Sequence, residues 1–189
     1  MTVDNLIKQI RTAINDVEEL EFSDNELLMY INDSLDYICE ILADNQSSIN
    51  LVILDIIATS TVIPNDLLRI NKVGNGITNY KQIYNVDKVG SLEYSLLGNE
   101  LIVSTIPCKL YYFKRLEHLA LEENIDDMYS PIFPFIVEYS VIKAQSRLEY
   151  NLQLEEQKLQ LLKDKVAKMI SRRSGLPLIT RYDGFLGGR

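Results

Sequence analysis

Histidine occurs once in this 189-residue chain, at His118, tryptophan not at all, and cysteine only twice. A single imidazole gives a Ser-His or Cys-His relay no alternative partner, and it excludes any metal site built on two histidines. His118 is expected at the surface or in a capping position rather than in catalysis. Cys39 and Cys108 stand outside any Cys-x-x-Cys pairing, each inside an apolar periodic segment. Both are therefore expected as buried, reduced thiols rather than as a disulfide or as metal ligands.

Glycine (8) and proline (5) are scarce, and 47% hydrophobic against 24% charged residues places the chain among packed globular proteins, far from the disordered range. A chain of this length removes roughly two thirds of its extended surface from water on folding, so one domain can build a core without disulfides or metals. Long apolar runs are missing as well. The run 51–54 ends at Asp55, far short of the roughly 20 residues of a membrane span. The first twenty residues interleave acids, bases and apolar groups and lack the apolar centre of a secretory signal. The expectation is a protein made in a cell's cytoplasm, with no membrane partner.

Positive charge is short too: 19 Lys and Arg against 27 Asp and Glu leave a net charge of −8, which repels DNA phosphates over most of the surface. The deficit is uneven. From Ser171 onward, Arg172, Arg173, Arg181 and Arg189 face one acid, Asp183, so this end carries +3 and residues 1–170 carry −11. An acidic body with a basic tail suits an acidic partner, including another copy of itself.

What is present is helical and strand periodicity. Val3, Leu6, Ile7, Ile10, Ile14 and Val17 recur at three- and four-residue steps and predict an amphipathic first helix. Ser23, with Glu26 three residues on, reads as a capping box for a second helix running to about Asp44 on the stripe Leu27, Ile31, Leu35, Ile38 and Leu42. The short connection between the two predicts an antiparallel helix pair over 1–46. Residues 48–116 change character: β-branched runs at Ile49–Ile57, a turn at Pro64-Asn65-Asp66, alternation at Leu68, Ile70 and Val73, and a two-residue hairpin loop at Gly98-Asn99. This predicts an antiparallel β module closing with Tyr111-Tyr112-Phe113.

Ser130-Pro131 predicts the start of a third helix, with serine as cap and proline at the first helical position. Ile136, Val137, Val141 and Ala144 form one apolar face of it, and Tyr139 and Ile142 make a second, so more than one packing partner is needed. A fourth helix over 152–170 carries Leu152, Leu159, Leu162, Val166 and Met169, with Asp164 and Lys168 as a four-apart pair. The helix pair spans 130–173. The remainder, 174–189, is read as an extended tail whose Leu176, Leu178, Ile179, Tyr182, Phe185 and Leu186 it cannot bury on itself. The fold class expected is α+β, mainly α: a four-helix bundle with an inserted antiparallel β module and a C-terminal tail.

Chemistry-bearing motifs are few. Glu122-Glu123 with Asp126-Asp127 lack the alternating spacing and glycine of a calcium loop, and a solvated acidic loop is expected. Gly74-Asn75-Gly76 lacks the third glycine and the helix of a dinucleotide fingerprint and reads as a turn. There is no phosphate-binding Gly-x-x-x-x-Gly-Lys loop and no Gly-x-Ser-x-Gly elbow. Tyr111-Tyr112-Phe113 beside Lys114-Arg115 has the ingredients to stack on bases, though strand alternation favours core packing. A non-enzymatic protein with no cofactor and no metal is expected.

Three segments carry a family resemblance. Phe22-Ser23-Asp24-Asn25-Glu26-Leu27 through Ser34 resembles the second helix of tailed-phage head-tail connector or adaptor proteins. Ile63-Pro64-Asn65-Asp66-Leu67-Leu68-Arg69-Ile70 is similar to the strand that leads into their β part, and the helix from Pro131, with Ala144 to Leu148, is similar to their third helix. The order of helix pair, β insertion, helix pair and tail covers nearly the whole chain, while the stretch 74–87 has no counterpart. The resemblance implies a structural protein of the virion neck: a ring, commonly of twelve subunits, that docks on the portal, continues the DNA channel and supports the tail or further neck proteins. DNA would pass without sequence-specific binding. Arg172, Arg173, Leu176, Leu178, Ile179, Arg181, Tyr182, Phe185, Leu186 and Arg189 are then expected to reach the portal or a neighbouring subunit, with Tyr139 and Ile142 in a subunit interface. Two rival readings stand beside it: a regulatory helix-bundle module that binds a peptide, and a nucleic-acid-handling accessory protein using 111–115 and the basic tail.

Overall fold

The computed structural model describes residues 1–85, 88–125, 129–149 and 151–174. Among them are four helices and two sheets, a mixed α+β fold in the order ααβββββββαα. Helix α1 (Val3–Ile14) starts at Thr2, whose side chain accepts the Asn5 N–H, and buries Val3, Leu6, Ile7 and Ile10. It ends three residues before the periodicity predicts. Asn15 turns left-handed at φ 64°, and the Asp16 carboxylate takes the next amides, so Val17 lies outside the helix, 68% exposed.

Helix α2 (Asp24–Asp44) has the predicted bounds. Ser23 caps it by accepting the Glu26 N–H, and all five residues of the expected stripe are fully buried. Each such burial contributes roughly 1.5–3 kcal/mol. Glu26 does not reach back to close the box; its carboxylate accepts from the Tyr30 hydroxyl and from Arg147.

Seven strands follow: β1 (Leu51–Ile56), β2 (Ser60–Val62), β3 (Leu67–Gly74), β4 (Lys81–Gln82), β5 (Glu93–Leu97), β6 (Glu100–Val103) and β7 (Cys108–Lys114). They form a three-stranded sheet in the order β1-β7-β3 and a four-stranded sheet in the order β2-β6-β5-β4. The module is not wholly antiparallel, because β4 pairs with β5 in parallel. Two-residue β4 is too short to carry a pattern from which its direction could be read. Cys108, Leu110 and Tyr112 of β7 point into a core that also holds Ile56, Val73 and Leu101, separate from the helical core. The expected alternation in β3 breaks where the register slips between Leu67 and Arg69. There Leu68 turns to the helical core while Leu67 and Ile70 pack on the sheet core.

Two glycines stand where a side chain would be strained. Gly98, at φ 58°, is the first loop residue of the β5–β6 hairpin, as a type II′ turn requires. A Cβ on Gly74 would sit 2.2 Å from the Thr78 carbonyl oxygen, in the turn where the Asn75 side chain accepts the N–H groups of Ile77 and Thr78.

Helix α3 (Phe133–Glu149) begins after the predicted Ser130-Pro131 start. Ile132 closes a turn onto Tyr129, and Ile136 donates the first helical bond to Ile132, leaving Pro134 in the first turn where no N–H is needed. Helix α4 (Leu152–Ser174) runs past the expected end at Ile170. Its Leu162 and Val166 are fully buried, but Leu152 is 73% exposed, and Asp164 accepts from Gln160 instead of pairing with Lys168.

The second face of α3 requires a correction. Tyr139 and Ile142, expected in a subunit interface, are 7% and 5% exposed, packed with Leu162 and flanked by Tyr37, Leu159 and Phe135 of the same chain. Helices α1, α2 and α4 all contact α3, so its two apolar faces are covered internally. Sequence periodicity reports that a second partner is needed; it does not report that α4 supplies it.

Candidate functional site

Of the residues expected to dock, Leu176, Leu178, Ile179, Arg181, Tyr182, Phe185, Leu186 and Arg189 lie outside the described residues. Arg172 and Arg173 lie in the last turns of α4, both exposed. With Lys165, Lys168, Met169 and Phe135 they line a groove of about 490 Å³ between the start of α3 and the end of α4. Its apolar part comes from Phe135 and Met169, and its rim carries four cations. Lys165 pairs with Glu138, whereas among the described residues no acid pairs with Lys168, Arg172 or Arg173.

The other end of α3 meets an acidic loop, residues 15–23. Arg11 Nη1 lies 2.8 Å from Asp16 Oδ2, and Arg11 Nη2 lies 2.6 Å from Asp24 Oδ1. The Asp16 carboxylate also accepts the N–H groups of Leu20 (2.9 Å), Glu21 (3.0 Å) and Phe22 (3.2 Å). Burial alone would raise the Asp16 pKa, but these amides and the Arg11 charge outweigh it and hold the carboxyl below its usual range. Phe22 is buried under the Arg147 guanidinium, 5.0 Å from the ring centroid, which ties the loop to the last turns of α3. The loop presents Val17 and Leu20, 78% exposed, beside exposed Glu18, Glu19 and Glu21.

The apolar spacing carries the predicted first helix through Val17 and into this loop. Its available signal was Asp16, a residue that ends helices by bonding backbone amides, followed by acids interleaved with two apolar residues.

The reactive side chains are placed as follows. Cys39 sits in the helical core and Cys108 in the sheet core, both as free thiols. Burial pushes Cys39 up to about 11, and it also raises Cys108. Such thiols are poor nucleophiles. His118 lies exposed, its Nε2 3.0 Å from Asp36 Oδ2. Tyr112 and Phe113 are buried, leaving Tyr111 half-exposed beneath Lys72, whose Nζ is 4.5 Å from the ring centroid. Glu123 accepts the Ala120 N–H, while Asp126 and Asp127 lie outside the described residues. Among the described residues no three His, Cys, Asp or Glu side chains gather as metal ligands, and no helix is long and apolar enough to cross a membrane.

A further surface belongs to the β module. Ile57, Val62, Ile77, Tyr84 and Leu97 are each more than half exposed. Val62 and Leu97 both pair with Glu100, which places them in one row across the second sheet. Set against known proteins, the chain matches no family model and no curated protein.

Proposed function

We propose that this chain is a structural head-to-tail adaptor of a tailed phage, one subunit of a neck ring that docks on the portal and continues the DNA channel. The observation that carries this reading is the apolar surface of the β module. Val62 and Leu97 lie exposed in one row across the second sheet, and Ile57, Ile77 and Tyr84 of the same module are exposed too, apolar side chains that a neighbouring copy would cover. The order of helix pair, two-sheet module and helix pair, with Ser23 capping α2, agrees with the resemblance.

In this reading the four helices form the bundle, and the ring, of about twelve copies by the family resemblance, covers the module's exposed side chains. The basic end of α4 delivers the tail, 174–189, to the portal or to an adjacent subunit. Arg172, Arg173 and Arg181 pair there with carboxylates while Tyr182 and Phe185 fill apolar pockets. An acidic body lets DNA pass without adhering to the wall.

The test mixes the protein with the portal of the same phage and compares the full chain with one truncated before Ser171, by light scattering. Full-length protein should join the portal and the truncated form should not. Equal binding by the two removes the tail from the mechanism.

A further inference from the structure

The acidic loop and the basic groove lie at opposite ends of one helix. Arg147, over Phe22, marks the loop end of α3, and Phe135 marks the groove end. Twelve residues at 1.5 Å rise separate them by about 18 Å. The two surfaces match in kind: the loop offers two exposed apolar side chains among three carboxylates, and the groove offers an apolar floor between four cations. Among the described residues no base pairs with Glu18, Glu19 or Glu21, so their charge remains available, as does that of Lys168, Arg172 and Arg173. The loop is also held in shape before it meets anything. Asp16 fixes three of its amides and Glu19 sits at φ 60°, so little ordering cost remains for docking.

We propose that residues 17–21 of one copy dock into the α3–α4 groove of the next, with Leu20 and Val17 on Phe135 and Met169, and Glu18, Glu19 and Glu21 facing Lys168, Arg172 and Arg173. The contact joins two different patches at opposite ends of α3, so when each copy docks on the next it is head-to-tail and gives a closed ring or an open filament. The occupant is a second copy, because the rim's four cations match the loop's three carboxylates, whereas the tail, 174–189, carries Arg181 and Arg189 against Asp183 alone. The proposal deepens the adaptor reading and rests on it for the ring's role, though not for the contact itself.

The experiment uses two charge-reversed full-length variants, Glu18→Lys with Glu21→Lys, and Lys168→Glu with Arg172→Glu, in sedimentation velocity over a concentration series. All four positions are exposed, and circular dichroism with melting curves confirms that each variant folds. Wild type should self-associate, each variant alone should lose about tenfold or more in affinity, and an equimolar mixture should recover association through the matched reversed pair. Association should weaken as salt rises from about 0.1 M to about 1 M and the screening length falls from about 10 Å to about 3 Å. Variants that assemble like wild type, a mixture that recovers nothing, or a wild type that stays monomeric throughout would each overturn the contact. Portal-bound rings that tolerate both reversals sink the contact and leave the adaptor reading standing. Charge-dependent self-association by a chain that ignores its portal does the reverse.

Discussion

The guanidinium of Arg11 and the carboxylate of Asp16, 2.8 Å apart and both almost wholly out of water, fix the turn between the first two helices. Asp16 serves two masters there: it neutralises Arg11 and it ends three otherwise open amides. Replacing it with alanine leaves those three amides without their acceptor and the buried Arg11 with Asp24 as its remaining carboxylate. Asp16→Ala should cost about 3–5 kcal/mol in urea unfolding, and a loss under about 1 kcal/mol would contradict the reading.

The same carboxylate sets an acid limit. Its folded-state pKa lies below the unfolded 3.8, so its contribution is complete above that value and is lost as pH falls through the folded one. Wild type should lose stability below about pH 4 more steeply than Asp16→Asn, which has no carboxyl to titrate. Parallel curves for the two proteins would show that Asp16 contributes no such term.

Cys39 gives the opposite sign at the alkaline end. Its pKa is raised from 9.0 to about 11, so the stability tied to the buried thiol is complete below pH 9 and is lost as pH rises through 11. At pH 8, thiol labelling of both cysteines should be slow in the native protein and fast in urea. Rapid native labelling of either would contradict the burial.

Ile142 separates an internal role from an interface role. Packed on Leu162, it should cost about 2–5 kcal/mol when changed to alanine, with no change in association at concentrations where the variant stays folded. A variant of wild-type stability that no longer self-associates would restore the interface reading.

Legibility followed the range of the deciding interaction. The bounds of α2 were readable because Ser23 caps locally and the stripe from Leu27 to Leu42 is regular. The Gly98 hairpin was readable because its turn chemistry is contained in two residues. The end of α1 was not, since Val17 continues the apolar spacing while the Asp16 side chain overrides it from outside the period. The cover over Tyr139 and Ile142 comes from α2 and α4, distant in sequence, and periodicity records only that some cover is needed. The groove end of the docking surface was half legible: Arg172 and Arg173 stood out as a basic cluster, but their apposition to Phe135, nearly forty positions earlier, is a product of the fold.

The central claim is that copies of this chain cover one another in a ring at the portal. Negative-stain electron microscopy of the purified protein mixed with its portal tests it most directly. The account predicts portal particles carrying an added ring of density on one face. Bare portals beside single compact subunits would contradict it.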